Sequence, residues 1–286
     1  MVKPWLIALT QFHKAPIFGR ISLAVGLLGA YAGVVFLVDL FELGELIKIH
    51  ASFPALLGIV LSMLLVFRTN TAYDRWWEGR KLWGQLVNDS RNLAIKVQTS
   101  VPADEAEKQD LARYLIAFAY ALKDHLRRGA KLQDLDTFQS HEAQPVHVPA
   151  WLVRGIYERL EDWRKRDLLD GFKLLFLDRQ ASGLMDICGG CERIRRTPLA
   201  KSYRWFVRQL ISIYLIALPW GLIEDFGVWA VPTVILIGYF MIGTETIAAD
   251  IEEPFGTDAD DLRLDDLCRT IDVSVREIMT AQPQAI

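Results

Sequence analysis

The 286-residue chain is 52% hydrophobic with a mean hydropathy of +0.19, yet it carries 32 basic and 35 acidic side chains. That is too oily for a typical water-soluble domain and too charged for a chain wholly embedded in lipid, so the two characters must be segregated along the sequence. A net charge of −3 without a Lys/Arg cluster interleaved with aromatics offers no nucleic-acid surface, and the three cysteines, Cys188, Cys191 and Cys268, form no disulfide framework and fit a reducing compartment.

The opening stretch, MVKPWLIALTQFHKAPIFGR, has a short apolar patch without a small-residue cleavage site and is expected to be mature chain. The first span candidate is Ile21–Val38, uncharged throughout, and the second is Ala51–Phe67, also uncharged but shorter. A bilayer core takes about 20 apolar residues as a helix. The second run passes without a turn residue into RTNTAYDRWWEGRKLW, as a helix would if it left the bilayer and continued into a water-facing domain. Arg68, Arg75, Trp76 and Trp77 would then mark the interface.

Within the oily half, Ile59, Met63 and Phe67 fall on one helical stripe, with Gly58 and Ser62 as small neighbours that permit close helix approach. By periodicity alone the stripe is either a packing or lipid-facing surface, or a hydrophobic constriction formed where several copies of the helix ring a pore.

Residues 68–205 read as helix almost throughout, with no period-two alternation and so no sheet. Leu111, Leu115, Phe118, Tyr120 and Leu122 mark one face of a helix over Asp110–Arg128. A long break from Arg127 to Trp151, containing Gly129 and two prolines, precedes helices over Ala150–Arg166 and Leu168–Arg196. The CGGC motif, Cys188 to Cys191, has no second ligand pair for zinc and no preceding strand for redox chemistry. It reads as buried thiols at an interruption of a helix. The five histidines show no metal-binding spacing and no enzyme signature is present, so no catalysis is expected.

The third apolar run, Leu210–Ile223, is either a span or a buried helix, and the fourth is Phe226–Ala248. Pro219 and Pro232 would each bend or unwind these runs. The links between runs one and two (DLFELGELIKIH) and between three and four (EDFG) are poor in Lys and Arg, whereas Lys3, Lys14, Arg20, Arg68, Arg75, Arg80 and Lys81 flank the other ends. The positive-inside rule therefore gives four spans with both termini in the cytoplasm. Domains follow as 1–67, the N-terminal segment and first two spans; 68–205, a helical cytosolic domain; 206–248, the last two spans; and 249–286, a cytosolic turn and helix. In that tail Asp258 or Asp260 can cap a helix faced by Leu264, Leu267, Ile271, Val275 and Ile278, and the acidic turn EEPFGTDADD is either such a cap or a cation site.

NTAYDRWWEGRKLWGQLVNDSRNLA together with IEEPFGTDADDL resembles the bestrophin family, its prokaryotic branch in particular, over roughly residues 18–280. The resemblance implies an all-α membrane protein that assembles as a homopentameric ion channel in the plasma membrane, in contact with lipid and conducting monovalent ions. It implies an apolar neck at Ile59, Met63 and Phe67, with Met63 standing where the family usually has Ile or Phe, and a lower cytosolic aperture at Leu177.

In eukaryotic relatives the acidic turn helps form a Ca²⁺ clasp. Asp258 and Asp261 match clasp positions, while Ala259 and Glu253 depart from the acid-rich pattern and argue against Ca²⁺ control, so no cofactor is expected. Branch resemblance points to monovalent cations, with anions as the alternative. From other classes, a non-conducting membrane scaffold or sensor is the rival, and a secondary transporter lacks its inverted repeat.

Overall fold

The computed structural model describes residues 16–41, 50, 52–142 and 144–280. The N-terminal segment and most of the acidic link between the first two runs lie outside the described residues, which contain no strand. Eight α-helices are described: α1 (Pro16–Leu40), α2 (Ser52–Ser100), α3 (Glu105–Arg127), α4 (Val148–Lys165), α5 (Gly171–Arg196), α6 (Lys201–Phe226), α7 (Ala230–Ile251) and α8 (Leu264–Thr280). They form two compact units. One is Met1–Arg75 with Leu199–Glu252, the other Trp76–Pro198 with Glu253–Ile286.

Three helical stretches are long and apolar enough to cross a membrane: Ile17–Leu40, the apolar part of Ser52–Ser100, and Lys201–Ile251. The last is two helices. Gly227, at φ +52°, ends α6, a short 3₁₀ turn over Gly227–Trp229 follows, and α7 packs back along α6. Small residues set the spacing in this unit. A Cβ on Gly238 of α7 would lie 2.3 Å from Leu28, and one on Gly29 of α1 would lie 2.8 Å from Ile235. Between apolar helices in lipid there is no water to expel, so close contact through small residues supplies the attraction.

The two prolines behave differently. Pro232 stands in the first turn of α7, where its missing N–H has no intrahelical partner to lose, and it breaks nothing. Pro219 lies inside α6 and leaves the carbonyl four residues earlier in the preceding turn, Leu215 O, without its usual donor. Tyr31 Oη donates to one carbonyl of that turn, Ile216 O, at 2.9 Å, and itself accepts from Trp220 Nε1 at 2.8 Å. A side chain of α1 thus braces α6 in the turn that the proline weakens.

α2 is one unbroken helix of 49 residues, about 70 Å long at 1.5 Å per residue. Its first part belongs to one unit and its remainder to the other.

In the second unit, α3, α4, α5, α8 and the later part of α2 enclose a core that includes Trp83, Leu86, Phe118, Leu122, Ile156, Trp163 and Ile187. The expected face of α3 is there, with Leu111, Leu115, Phe118 and Leu122 fully buried. The long break is partly ordered by two 3₁₀ turns that bury Leu132 and Phe138. The Asp170 side chain accepts from Lys173 N at 2.7 Å and starts α5. On α8 the buried face is Leu264, Cys268, Ile271, Val275 and Met279, so Leu267 and Ile278 of the expected stripe stand at its edge. Neither Asp258 nor Asp260 reaches the α8 N-terminus, which follows a turn closed by Leu262 N donating to Pro254 O at 2.9 Å.

CGGC does not interrupt a helix: Cys188 and Cys191 sit within continuous α5, free and buried. Its glycines matter for packing, because a Cβ on Gly190 would come within 2.9 Å of Leu82 on α2. Burial pushes the Cys188 and Cys268 thiols up to about 12 and raises that of Cys191 as well. All three therefore remain protonated at neutral pH. We expect none of the three to react with maleimide in the native protein and all three to react after denaturation, a difference countable by intact-mass spectrometry.

Gly155 of α4 is the tightest contact in this unit. A Cβ there would stand 2.2 Å from the Tyr114 ring, which is held by Phe138 and Trp151 at centroid distances of 4.9 and 5.9 Å and by the Arg159 guanidinium at 3.9 Å. The ring has nowhere to go. Gly155→Val is expected to destabilise the protein by about 1–3 kcal/mol, read as a lowered Tm in detergent.

Candidate functional site

The first part of α2 has two faces. Leu61, Leu65, Arg68 and Ala72 are buried, whereas Ile59, Met63 and Phe67 are 68%, 62% and 54% exposed. Leu56, Val60 and Val66 are exposed beside them, so the outward surface is a continuous apolar strip without a charge. Such a strip needs lipid or another copy of the chain to cover it.

What fixes the rotation of α2 is a buried charge cluster. Arg68 is wholly buried; its Nη2 donates to Glu252 Oε2 at 2.6 Å, and its Nε lies 3.4 Å from Glu245 Oε2. Both acids are buried as well. Glu252 Oε1 also accepts from Leu199 N at 2.9 Å, and its backbone carbonyl from Arg75 Nε at 3.1 Å. On the other side Arg208 Nε donates to Glu245 Oε1 at 3.1 Å. Two guanidinium groups thus balance two carboxylates, tying α2 and α6 to the C-terminal end of α7. Arg20 adds a further tie from α1, its Nη1 standing 2.6 Å from Asp250 Oδ2.

With α2 held this way, Arg68 faces inward, and 3.6 residues per turn carry Ile59, Met63 and Phe67 outward. Residues 2–277 match the bacterial/fungal bestrophin family. The chain belongs to that family.

Among bestrophin relatives, the chain is 38% identical over 239 residues to a voltage-dependent anion channel-forming protein of Nostoc, covering 79% of this chain and 76% of the relative. It is 39% identical over 233 residues to a protein of the same description from Mesorhizobium japonicum, covering 80% and 75%. It is 30% identical over 281 residues to the voltage-dependent anion channel-forming protein YneE of Escherichia coli, covering 96% and 91%. A solved bacterial bestrophin homologue from Klebsiella pneumoniae shares the fold, with a TM-score of 0.85 at 23% identity over 92% of this chain and 100% of that one. The three sequence relatives are named for anions, and nothing among the comparisons supports the monovalent-cation selectivity expected from branch resemblance.

Leu177, the expected lower-aperture residue, is fully buried in the core of its own unit. The exposed apolar side chains of α5 are Phe172, Leu175 and Phe176. Phe176 is ordered by Lys96, whose Nζ lies 3.7 Å from the ring centroid and donates to Phe176 O at 2.7 Å.

In the acidic turn, Asp261 Oδ2 accepts from Asp258 N at 2.6 Å, and a Cβ on Gly256 would come within 2.5 Å of the same oxygen. Trp76 Nε1 donates to Asp260 O at 3.0 Å, and Phe255 is buried against Gly79. The Asp261 carboxylate is thus already engaged in closing the turn.

Arg68→Ala would leave two buried carboxylates without their central partner. We expect it to cost about 3–5 kcal/mol, seen as loss of monodisperse protein and a lowered Tm in detergent. Arg68→Lys, a point charge that cannot bridge both acids, should fall between it and wild type.

Proposed function

We propose that the chain is a subunit of an anion-conducting channel, with the exposed apolar stripe of α2 as its neck. The observation that carries this reading is the stripe itself: Ile59, Met63 and Phe67 point away from the chain's own core while a buried ion cluster holds the helix in that rotation. Copies arranged about an axis, as a homopentamer in the plasma membrane with cytoplasmic termini, would cover the stripe and close it into an apolar ring. A ring of this kind gates by expelling water, and widening or wetting it lets ions pass. Met63, unbranched and polarisable, makes that ring more compliant than a β-branched residue would.

The neck carries no charge, so it sets whether ions pass and not which sign. The preference for anions rests on the names of the relatives. The lower constriction moves from Leu177 to its exposed neighbour Phe176. The acidic turn around Asp258 and Asp261 serves as a structural clamp, so conduction requires no Ca²⁺.

Purified protein in a planar bilayer under a NaCl gradient should give a current that reverses toward the Cl⁻ equilibrium potential and persists after Ca²⁺ chelation. Reversal toward the Na⁺ potential would overturn the anion assignment. Replacing Ile59, Met63 and Phe67 by Ala should raise the current several-fold. An unchanged current in a normally assembled triple variant would refute the neck, and silence from both proteins would leave a non-conducting scaffold.

A further inference from the structure

Three side chains that play no part in the proposed pore meet in the unit containing Trp76–Pro198. His125 comes from the last turn of α3, His147 is the residue that caps α4, and Glu192 lies near the end of α5. His125 Nε2 is 2.6 Å and His147 Nε2 2.9 Å from one and the same oxygen, Glu192 Oε1. The two imidazole rings are tilted by 40° with centroids 4.8 Å apart.

The cluster is braced by its surroundings. Arg195 Nη1 donates to the His125 carbonyl, and Arg195 Nη2 to Arg127 O at 3.1 Å, so α5 holds the end of α3. The three side chains retain 17%, 34% and 19% of their exposure, enough to admit a solvent-borne ion from one side. Burial pushes the Glu192 carboxyl up, but hydrogen bonds from His125 and His147, helped by the charge of Arg196, outweigh it and hold the group below the usual carboxylate range.

We infer that His125, His147 and Glu192 form a binding site for a first-row divalent metal ion, Zn²⁺ foremost. Two imidazole nitrogens and one carboxylate oxygen, all within 4.8 Å of one another, are the donor set such ions prefer. Three protein ligands leave the remaining position to water. The metal-free arrangement is self-satisfied: His147 Nδ1 accepts from Ala150 N at 3.1 Å, which places the neutral ring's proton on Nε2, facing Glu192.

Metal bonds of about 2.0–2.2 Å need neighbouring ligand atoms roughly 3.3 Å apart, so the nitrogens of His125 and His147, now 2.6 and 2.9 Å from Glu192 Oε1, must back away from it by less than an ångström while drawing closer to each other within the 4.8 Å that spans the cluster. Each coordinating Nε2 gives up its proton while Nδ1 takes one, so neutral imidazoles bind with no net proton release. On His147 that proton displaces the Ala150 N–H, coupling the ion to the first turn of α4. Arg196, 3.9 Å from Glu192 and 71% exposed, is free to swing away from the incoming charge.

The test is calorimetric titration of ZnCl₂ into the full-length protein in detergent, paired with the visible spectrum of the Co²⁺ form. One saturable site per chain is expected, with d–d bands of nitrogen and oxygen ligation and no thiolate charge-transfer band. His125→Gln, Glu192→Gln and His147→Asn should each weaken uptake by roughly tenfold or more. Asn keeps the α4 cap and removes only the imidazole. Absence of saturable uptake by wild type, uptake unchanged in correctly assembled variants, or a thiolate band assigning the ion to the buried cysteines would each overturn the inference. The spectrum of the unmutated protein decides between histidine and cysteine ligands even if a variant fails to fold.

Discussion

The wholly buried Arg68 is the constraint on which the membrane-type unit depends. A guanidinium removed from water needs carboxylate partners, and Glu245 comes from the C-terminal half of α7 while Glu252 directly follows its last residue. Each acid then has other donors, Leu199 N and Arg208 Nε, so four separate chain segments meet at one neutral cluster. Removing Arg68 would strand two buried carboxylates where water cannot reach them. This pins the rotation of α2 and leaves Ile59, Met63 and Phe67 without a partner inside their own subunit. An ionic interaction thus decides which apolar side chains are offered outward.

Around that anchor the apolar helices use devices suited to a medium without water. Close approach at Gly29 and Gly238 replaces hydrophobic driving force with contact, and the Trp220–Tyr31–Ile216 relay satisfies a carbonyl in the turn weakened by Pro219. Position decides the consequence of a proline. Pro232, in a first turn, needs no such help.

The other unit is built as a water-soluble domain is. Its aromatic and aliphatic core is continuous, its thiols are free and buried, and Gly155 and Gly190 admit neighbours that a side chain would exclude. Polar groups gather at the ends of its helices, where caps and carbonyls need partners. That is why His147 can close a helix and face Glu192 at once, and why Asp261 is drawn into the turn before α8.

The sequence by itself determined the all-helical character, the apolar runs, the continuous passage of α2 from oily to charged, and the bestrophin resemblance. These are local matters: periodicity, hydropathy and short motifs are carried by neighbours along the chain. The stripe of Ile59, Met63 and Phe67 was legible for the same reason. Tertiary structure alone decided which turn of a helix faces inward, since that depends on partners far along the chain. Leu177 is core and Phe176 surface because of what packs on α5, and Arg68, which read as an interfacial residue, is buried because acids 177 or more positions later reach it. His125, His147 and Glu192, standing 67 and 45 positions apart, have no spacing signature; only the meeting of three helix ends brings them to one oxygen.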